Sequence, residues 1–177
     1  MPTSTAARHT ADARSTTSQR AEALAARLES GAAMLAELAE TITDAEWARR
    51  VGVRDSRTLG VIIHHVATVY PIEVSFARTV ASGKPVAGFS WENLAEFNAQ
   101  HARDNAAVTK ADALALLRQN SREAADAVRQ FTDAELDTAA PFSLSFDAPM
   151  TSQFVLEDHA VRHSWHHLAR IRAAIGR

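Results

Sequence analysis

The sequence predicts an all-α protein, a four-helix bundle with one shorter additional helix. Three observations lead there. Four long stretches repeat apolar residues at helical spacing, and a fifth, shorter one does so more briefly. Ser or Thr stands where most of these stretches begin, as helix caps require. Only one short segment alternates like a strand, and it is too short and solitary for a sheet. Helices with one apolar face and no sheet to cover must bury that face against each other, which is a bundle. With 177 residues the chain can build one real core. That domain is expected over residues 17–177.

Residues 1 to 16 are Ser, Thr, Ala and Arg with little apolar content, so a mobile tail is expected there. The tail lacks the apolar middle of a secretion signal, which points to a cytoplasmic protein. The first helix is expected from about Ser18 to Thr41, with Leu24, Leu28, Leu35, Leu38 and Ile42 as its stripe. Thr43-Asp44-Ala45-Glu46 reads as a capping box opening a short turn that carries Trp47. Residues 49–57 are polar and read as a loop. The second helix is expected after Ser56, running to about Ala81, with Ile62, Val66, Val69, Ile72, Phe76 and Val80 on one side. His65 lies in that stripe, and His64, 100° away, leaves it. Pro71 should kink this helix or split it.

Ser90 opens the shorter helix, Trp91 to about Asn105, holding Leu94, Phe97 and His101. Thr109 caps the next long helix, 111 to about 131, whose stripe includes Leu114, Leu117 and Val128. Thr132-Asp133-Ala134-Glu135 then repeats the earlier cap sequence. Residues 137–152 hold the alternating Pro141-Phe142-Ser143-Leu144-Ser145-Phe146, read as a long loop laying its Phe and Leu residues on the bundle. The last helix starts near Thr151. At 100° per residue, Phe154, Val161, Trp165, Leu168, Ile171 and Ile175 share one broad arc.

Composition narrows the function. A net charge of −2 offers no basic footprint for nucleic acid or an anionic membrane, and no apolar run approaches the length of a membrane span. The absence of Cys excludes disulfides, thiolate metal sites and a cysteine nucleophile. Any thiol chemistry must draw its thiol from a bound small molecule.

The last helix carries four of the eight histidines within nine residues, from His159 to His167. His163 and His167 are i and i+4 at the edge of its apolar arc, so their rings can converge on one ion. His159 and His166 point further toward the polar side. With His65 from the second helix, three neutral imidazoles match an open, catalytic type of metal site. A structural zinc site would be closed by a fourth ligand, often Cys. Glu73, two turns beyond His65, is the nearest candidate for a fourth ligand. The zincin spacing of His159 and His163 lacks the Glu that serves as base, the Glu-x-x-His pairs of di-iron bundles are missing, and no Gly-rich phosphate loop occurs.

These residues carry a resemblance. Thr58-Leu59-Gly60-Val61-Ile62-Ile63-His64-His65-Val66-Ala67 resembles a signature of the DinB-like (DinB/YfiT) proteins. His163-Ser164-Trp165-His166-His167-Leu168 followed by Ile171 resembles that family's C-terminal His-x-x-x-His helix, and Asp44-Ala45-Glu46-Trp47 also fits. The resemblance runs from about residue 18 to the end. It implies an up-down-down-up bundle, often a homodimer, with His65, His163 and His167 as ligands to zinc or nickel. It also implies a small-molecule substrate and, in some members, bacillithiol or mycothiol as co-substrate. The mycothiol-dependent maleylpyruvate isomerases are related, but this chain has His where their ligand pattern has Glu.

Three functions stay open on the sequence. One is an enzyme whose metal acidifies a thiol or water, acting as a thiol transferase or hydrolase. Another is a metal-binding or stress-related bundle without turnover. The third is a bundle whose histidines are merely packed and hydrogen-bonded.

Overall fold

The computed structural model describes residues 18–53 and 55–177; the expected tail lies outside them. Helix α1 (Gln19–Thr41) begins where the Ser18 side chain accepts from the Ala21 amide at 3.0 Å. The single turn α2 (Asp44–Trp47) closes a reciprocal capping box between Thr43 and Glu46. Trp47 donates from Nε1 to the Val108 carbonyl at 3.1 Å, and its ring lies so close to Gly60 that any Cβ there would collide with it. Gly60 is therefore fixed by close approach rather than by backbone conformation.

Thr58 caps α3 (Leu59–Ala81) by accepting from the Val61 amide at 3.2 Å. The helix neither splits nor ends at Pro71. Proline removes the N–H that would bond the carbonyl four residues earlier, here that of Ala67. Asn120 donates its side-chain amide to that carbonyl at 2.8 Å. A neighbouring helix thus supplies the hydrogen bond that Pro71 cannot make. By length and mean hydropathy, 1.3, α3 would also pass for a membrane span, contrary to the sequence reading. Yet 67% of that apolar window is buried inside the bundle, as befits a central core helix.

Helix α4 (Trp91–Asp104), capped by Ser90, lies outside the bundle along α3. It runs antiparallel: the Phe89 ring just before it meets Phe76 at 4.8 Å, and His101 near its end bonds His64. Helix α5 (Lys110–Arg129) follows the Thr109 cap, and the one-turn α6 (Asp133–Asp137) repeats the capping box of α2.

Residues 139–151 correct the expected loop. Ala139–Phe142 (β1) and Ala148–Thr151 (β2) form an antiparallel hairpin, with Phe146 and Asp147 at positive φ in its turn. The strands escape solitude because each pairs with the other, and Val86 adds backbone bonds to Pro141 and Ser143 at 3.0 and 2.9 Å. Phe142 and Leu144 do pack on the core, whereas Phe146 is 88% exposed.

The last helix is not regular. Thr151 caps α7 (Ser152–Val155), a π-helical segment Leu156–Val161 follows, and α8 (Arg162–Ile175) ends at left-handed Gly176. A π turn holds about one residue more than an α turn, so a wheel drawn through it loses its phase. Phe154, assigned to the apolar arc, is 47% exposed, and Trp165 is 39% exposed. His163 and His167 both lie beyond the π segment, and their i, i+4 relation survives.

Side-chain bonds fix the helix directions. Arg118 on α5 pairs with Glu40 and Arg129 with Glu29, so α1 and α5 are antiparallel. Asn120 bonds Ala67 and Arg78 bonds Ala127, so α3 and α5 are parallel. Arg27 bonds Glu157 and Arg177 bonds Thr41, so the last helix is parallel to α1. Its first residue, Ser152, bonds the carbonyl of Ala77 near the end of α3, so it is antiparallel to α3. The connectivity is up-down-down-up, with α1 and α3 on opposite corners. Fully buried Leu28, Leu35, Ile62, Ile63 and Leu117 lie in the common core, each contributing about 1.5–3 kcal/mol by leaving water.

Candidate metal centre

The α3–α8 seam positions the site. Because the helices are antiparallel, positions advancing along α8 meet positions receding along α3. Tyr70 and Ser164, both buried, hydrogen-bond across the seam and hold the two helices in register. That register sets His65 against His163 and His167. Each of the three offers a donor nitrogen, and these atoms all lie within 4.8 Å of one another. Ring centroids are 5.2 Å apart for His65 and His163, 5.7 Å for His65 and His167, and 4.8 Å for His163 and His167. His65 and His167 are buried; the His163 side chain, 19% exposed, is where the cluster meets solvent.

The hydrogen bonding is uneven. His163 uses Nδ1 to bond the carboxylate of Glu73, which leaves Nε2 as its available ring nitrogen. Glu73 therefore stands behind His163 instead of joining the three imidazoles. Its carboxyl is pushed up by burial, with the His163 hydrogen bond and charge working the other way. Nδ1 of His65 and Nδ1 of His167 are buried with no hydrogen-bond partner among the described residues. Burial also pushes the His65 imidazole down to about 2, reinforced by the neighbouring His163 and Arg57 charges. His167 is lowered by burial too, with His163 and His65 adding to it. Both rings are neutral near pH 7, the form that binds metal.

A centre of packed, hydrogen-bonded histidines would satisfy its ring nitrogens, as buried polar groups ordinarily are. Two of these three rings are not satisfied. Three imidazoles, one oriented by a carboxylate, form a donor set suited to zinc or another borderline divalent ion.

The remaining described histidines lie outside that set of three, and among them His101 also has a buried Nδ1 with no partner among the described residues. His64 is outside the donor set, as its wheel position predicts, and bonds His101 at 2.9 Å with the rings stacked. His101 is 7% exposed, its ring 5.5 Å from that of His65, and burial and the His64 charge push it down to about 4. His159 packs its ring on Phe142, and His166 is exposed. His9 lies outside the described residues. Sequence reasoning placed His101 in the α4 stripe but gave it no role, since nothing local shows that α4 lies over His65. Two surface cavities, one between α1 and α5 and one beside Phe154 and Trp165, both lie away from this cluster.

Comparison with known proteins follows the same line. A family profile described as the DinB superfamily matches residues 27–171. Among solved structures, YfiT from Bacillus subtilis, described as a probable metal-dependent hydrolase with an unusual four-helix bundle topology, matches with a TM-score of 0.70. That match covers 98% of this chain and 90% of the other at 18% identity, a likeness of fold. No curated protein sequence matches the chain.

Proposed function

The chain belongs to the DinB superfamily, and on that premise we propose that it is a metal-dependent enzyme whose divalent ion is held by His65, His163 and His167. The observation that carries this reading is the pair of buried, unpartnered Nδ1 atoms on His65 and His167 beside the Glu73-bound His163. Zinc and nickel suit three imidazoles. An ion in such a site supplies a Lewis acid that makes a water or a thiol nucleophilic near neutral pH.

The chain's own residues do the rest. Glu73 holds the His163 ring and fixes its proton on Nδ1. Burial keeps His65 and His167 uncharged. The Tyr70–Ser164 bond keeps α3 and α8 aligned, so the donors stay within reach of one ion. Among the described residues three protein donors are gathered, which leaves room for a reactant.

Hydrolysis is the preferred form of the reaction, because YfiT, which shares the fold, is described as a probable metal-dependent hydrolase. Transfer of a low-molecular-weight thiol such as mycothiol or bacillithiol is the second form, and with no Cys in the chain the thiol must be added. Elemental analysis of protein purified without a His-tag tests the centre: about one ion per chain is expected, lost in His65→Ala and in His163→Ala/His167→Ala. Ester-hydrolysis and thiol-transfer assays on the metallated protein then separate the two forms. Metal-free protein that takes up no zinc, nickel or cobalt on titration would overturn the proposal.

A further inference from the structure

Residues 49–57 read as an ordinary polar loop, yet its last side chain is built into the site. Arg57 immediately precedes the Thr58 cap of α3, two turns before His65. Its Nε donates to Asp55 Oδ1 at 2.9 Å and its Nη2 to Asp55 Oδ2 at 2.8 Å. The Arg57 amide also donates to Asp55 Oδ1, at 3.2 Å. Asp55 in turn accepts from Arg170 at 3.0 Å, and Arg170 stands on α8 three residues past His167. The loop is thereby tied to both helices that carry the histidines.

One edge of the guanidinium remains unused. Bidentate pairing with Asp55 occupies Nε–H and one Nη2–H of its five donors. Nη1 is buried and has no hydrogen-bond partner among the described residues. Burying charged donors without an acceptor is unfavourable, so this edge marks a place for one. Nor is the local charge balanced: a single carboxylate stands between two guanidiniums. Burial pushes Asp55 up, but the Arg57 hydrogen bonds and charge, with Arg170, hold it well below the usual carboxylate range. It stays ionised, and one positive charge is left over. The Arg57 charge also bears on His65, His101 and His167 together, helping to lower all three. With Arg57 two turns before His65 and Arg170 one turn past His167, the Asp55 clamp sits at the end of the α3–α8 seam next to those two rings.

We propose that Arg57 is the anion anchor of this site, and that the substrate carries a carboxylate or a comparable planar oxyanion. This rests on the metal-centre reading. The free end-on edge, Nη1 with the second Nη2–H, matches the two oxygens of a carboxylate. Asp55 and Arg170 act as positioning residues that hold the edge still. The Arg57 side chain is 17% exposed as a whole, while Nη1 itself is buried.

Isothermal titration calorimetry with simple probes tests it. Zinc-loaded protein is titrated with acetate and benzoate and with their neutral counterparts acetamide and benzamide. In the wild type each carboxylate should bind at least about tenfold more tightly than its amide, as charge-assisted pairing implies. Arg57→Gln should remove that preference and leave zinc stoichiometry unchanged, while Arg57→Lys should restore part of it. Equal binding of benzoate and benzamide to the wild type would overturn the proposal, as would full benzoate affinity in a folded Arg57→Gln. Should that variant not fold, the wild-type comparison on metal-free protein, where no ion can take the carboxylate, decides alone. The metal-free comparison also keeps the two readings apart. Failure to bind zinc refutes the metal centre, whereas a benzoate preference that persists without zinc still assigns the anchor.

Discussion

Glu73 offers the sharpest test of how the centre is built. The side chain is 5% exposed, deep in α3, and one of its oxygens bonds His163 Nδ1 while the other has no partner. Two substitutions separate its contributions. Glu73→Gln keeps an oxygen that can accept from His163, so the ring keeps its tautomer and loses only the negative charge behind it. Glu73→Leu removes the acceptor, so the ring can turn and its Nδ1–H is stranded. Partners of this kind are worth about 10–100-fold in metal affinity, or about 1.4–2.7 kcal/mol. Gln belongs at the lower end of that range and Leu at the upper. Metal-free stability should behave differently. A buried carboxylate without an ion nearby is an unfavourable group, so Glu73→Gln should melt no lower than the wild type once metal is removed. Zinc affinity is measured by competition with a chromophoric chelator, and stability by thermal melting of the stripped protein. Wild-type zinc affinity in Glu73→Leu would refute the assigned role. Affinity lost only in step with folding would refute it too, since Glu73 would then serve the core and not the ligand.

Further outcomes follow from other contacts. His64→Ala should leave bound metal nearly stoichiometric while His65→Ala reduces it sharply, because His64 turns to His101; similar losses would contradict the face assignment. Asn120→Ala should cost about 1–3 kcal/mol in urea unfolding by stranding the Ala67 carbonyl, and Pro71→Ala in that background should recover part of it by restoring the missing N–H. No recovery would show that Asn120 acts elsewhere. Metal-free protein should lose stability as pH falls below about 6.5. His65 and His101, down at about 2 and about 4 when folded, gain protons first in the unfolded chain. Their contribution is fully present above the ordinary imidazole range and lost toward their folded values, by at most about 1.4 kcal/mol per pH unit for each group. Flat urea midpoints between pH 7.5 and 5 would refute their neutral burial.

What was legible in the sequence was what is decided locally or by one helical face. Caps are local, and Ser18, Thr43, Ser90, Thr109, Thr132 and Thr151 all open helices at or beside the expected positions. The convergence of His65, His163 and His167 was legible because His65 lies in one inward stripe and the other two at the edge of another. What escaped depends on partners far along the chain. Nothing near Pro71 announces Asn120, and nothing in Pro141–Phe146 announces Val86. The π segment leaves no local mark either, so a regular wheel misplaced Phe154. Loop residue Arg57 and outlying-helix residue His101 join the site only through tertiary placement, which periodicity does not encode.

The antiparallel seam gives the centre a polarity as well as a position. Along α3 the order is Arg57, His65, Glu73. Along α8, read in the opposite sense, Arg170 and His167 precede His163. A cationic end, Arg57 and Arg170 around Asp55, thus faces the buried Glu73 carboxyl behind His163 across the three rings. The carboxylate supports the ring that leads to solvent, where a cation held by the three histidines would be favoured. The guanidinium edge lies on the far side, where an anionic group of the reactant would be held. A reactant bound between them has one preferred orientation, because reversing it would set its anion toward Glu73. Such fixed charges need no rearrangement when the reactant arrives, and prepaid orientation of this kind lowers barriers. On the proposed anchor, the same up-down-down-up connectivity that leaves α3 and α8 antiparallel neighbours would also decide which way round a substrate sits.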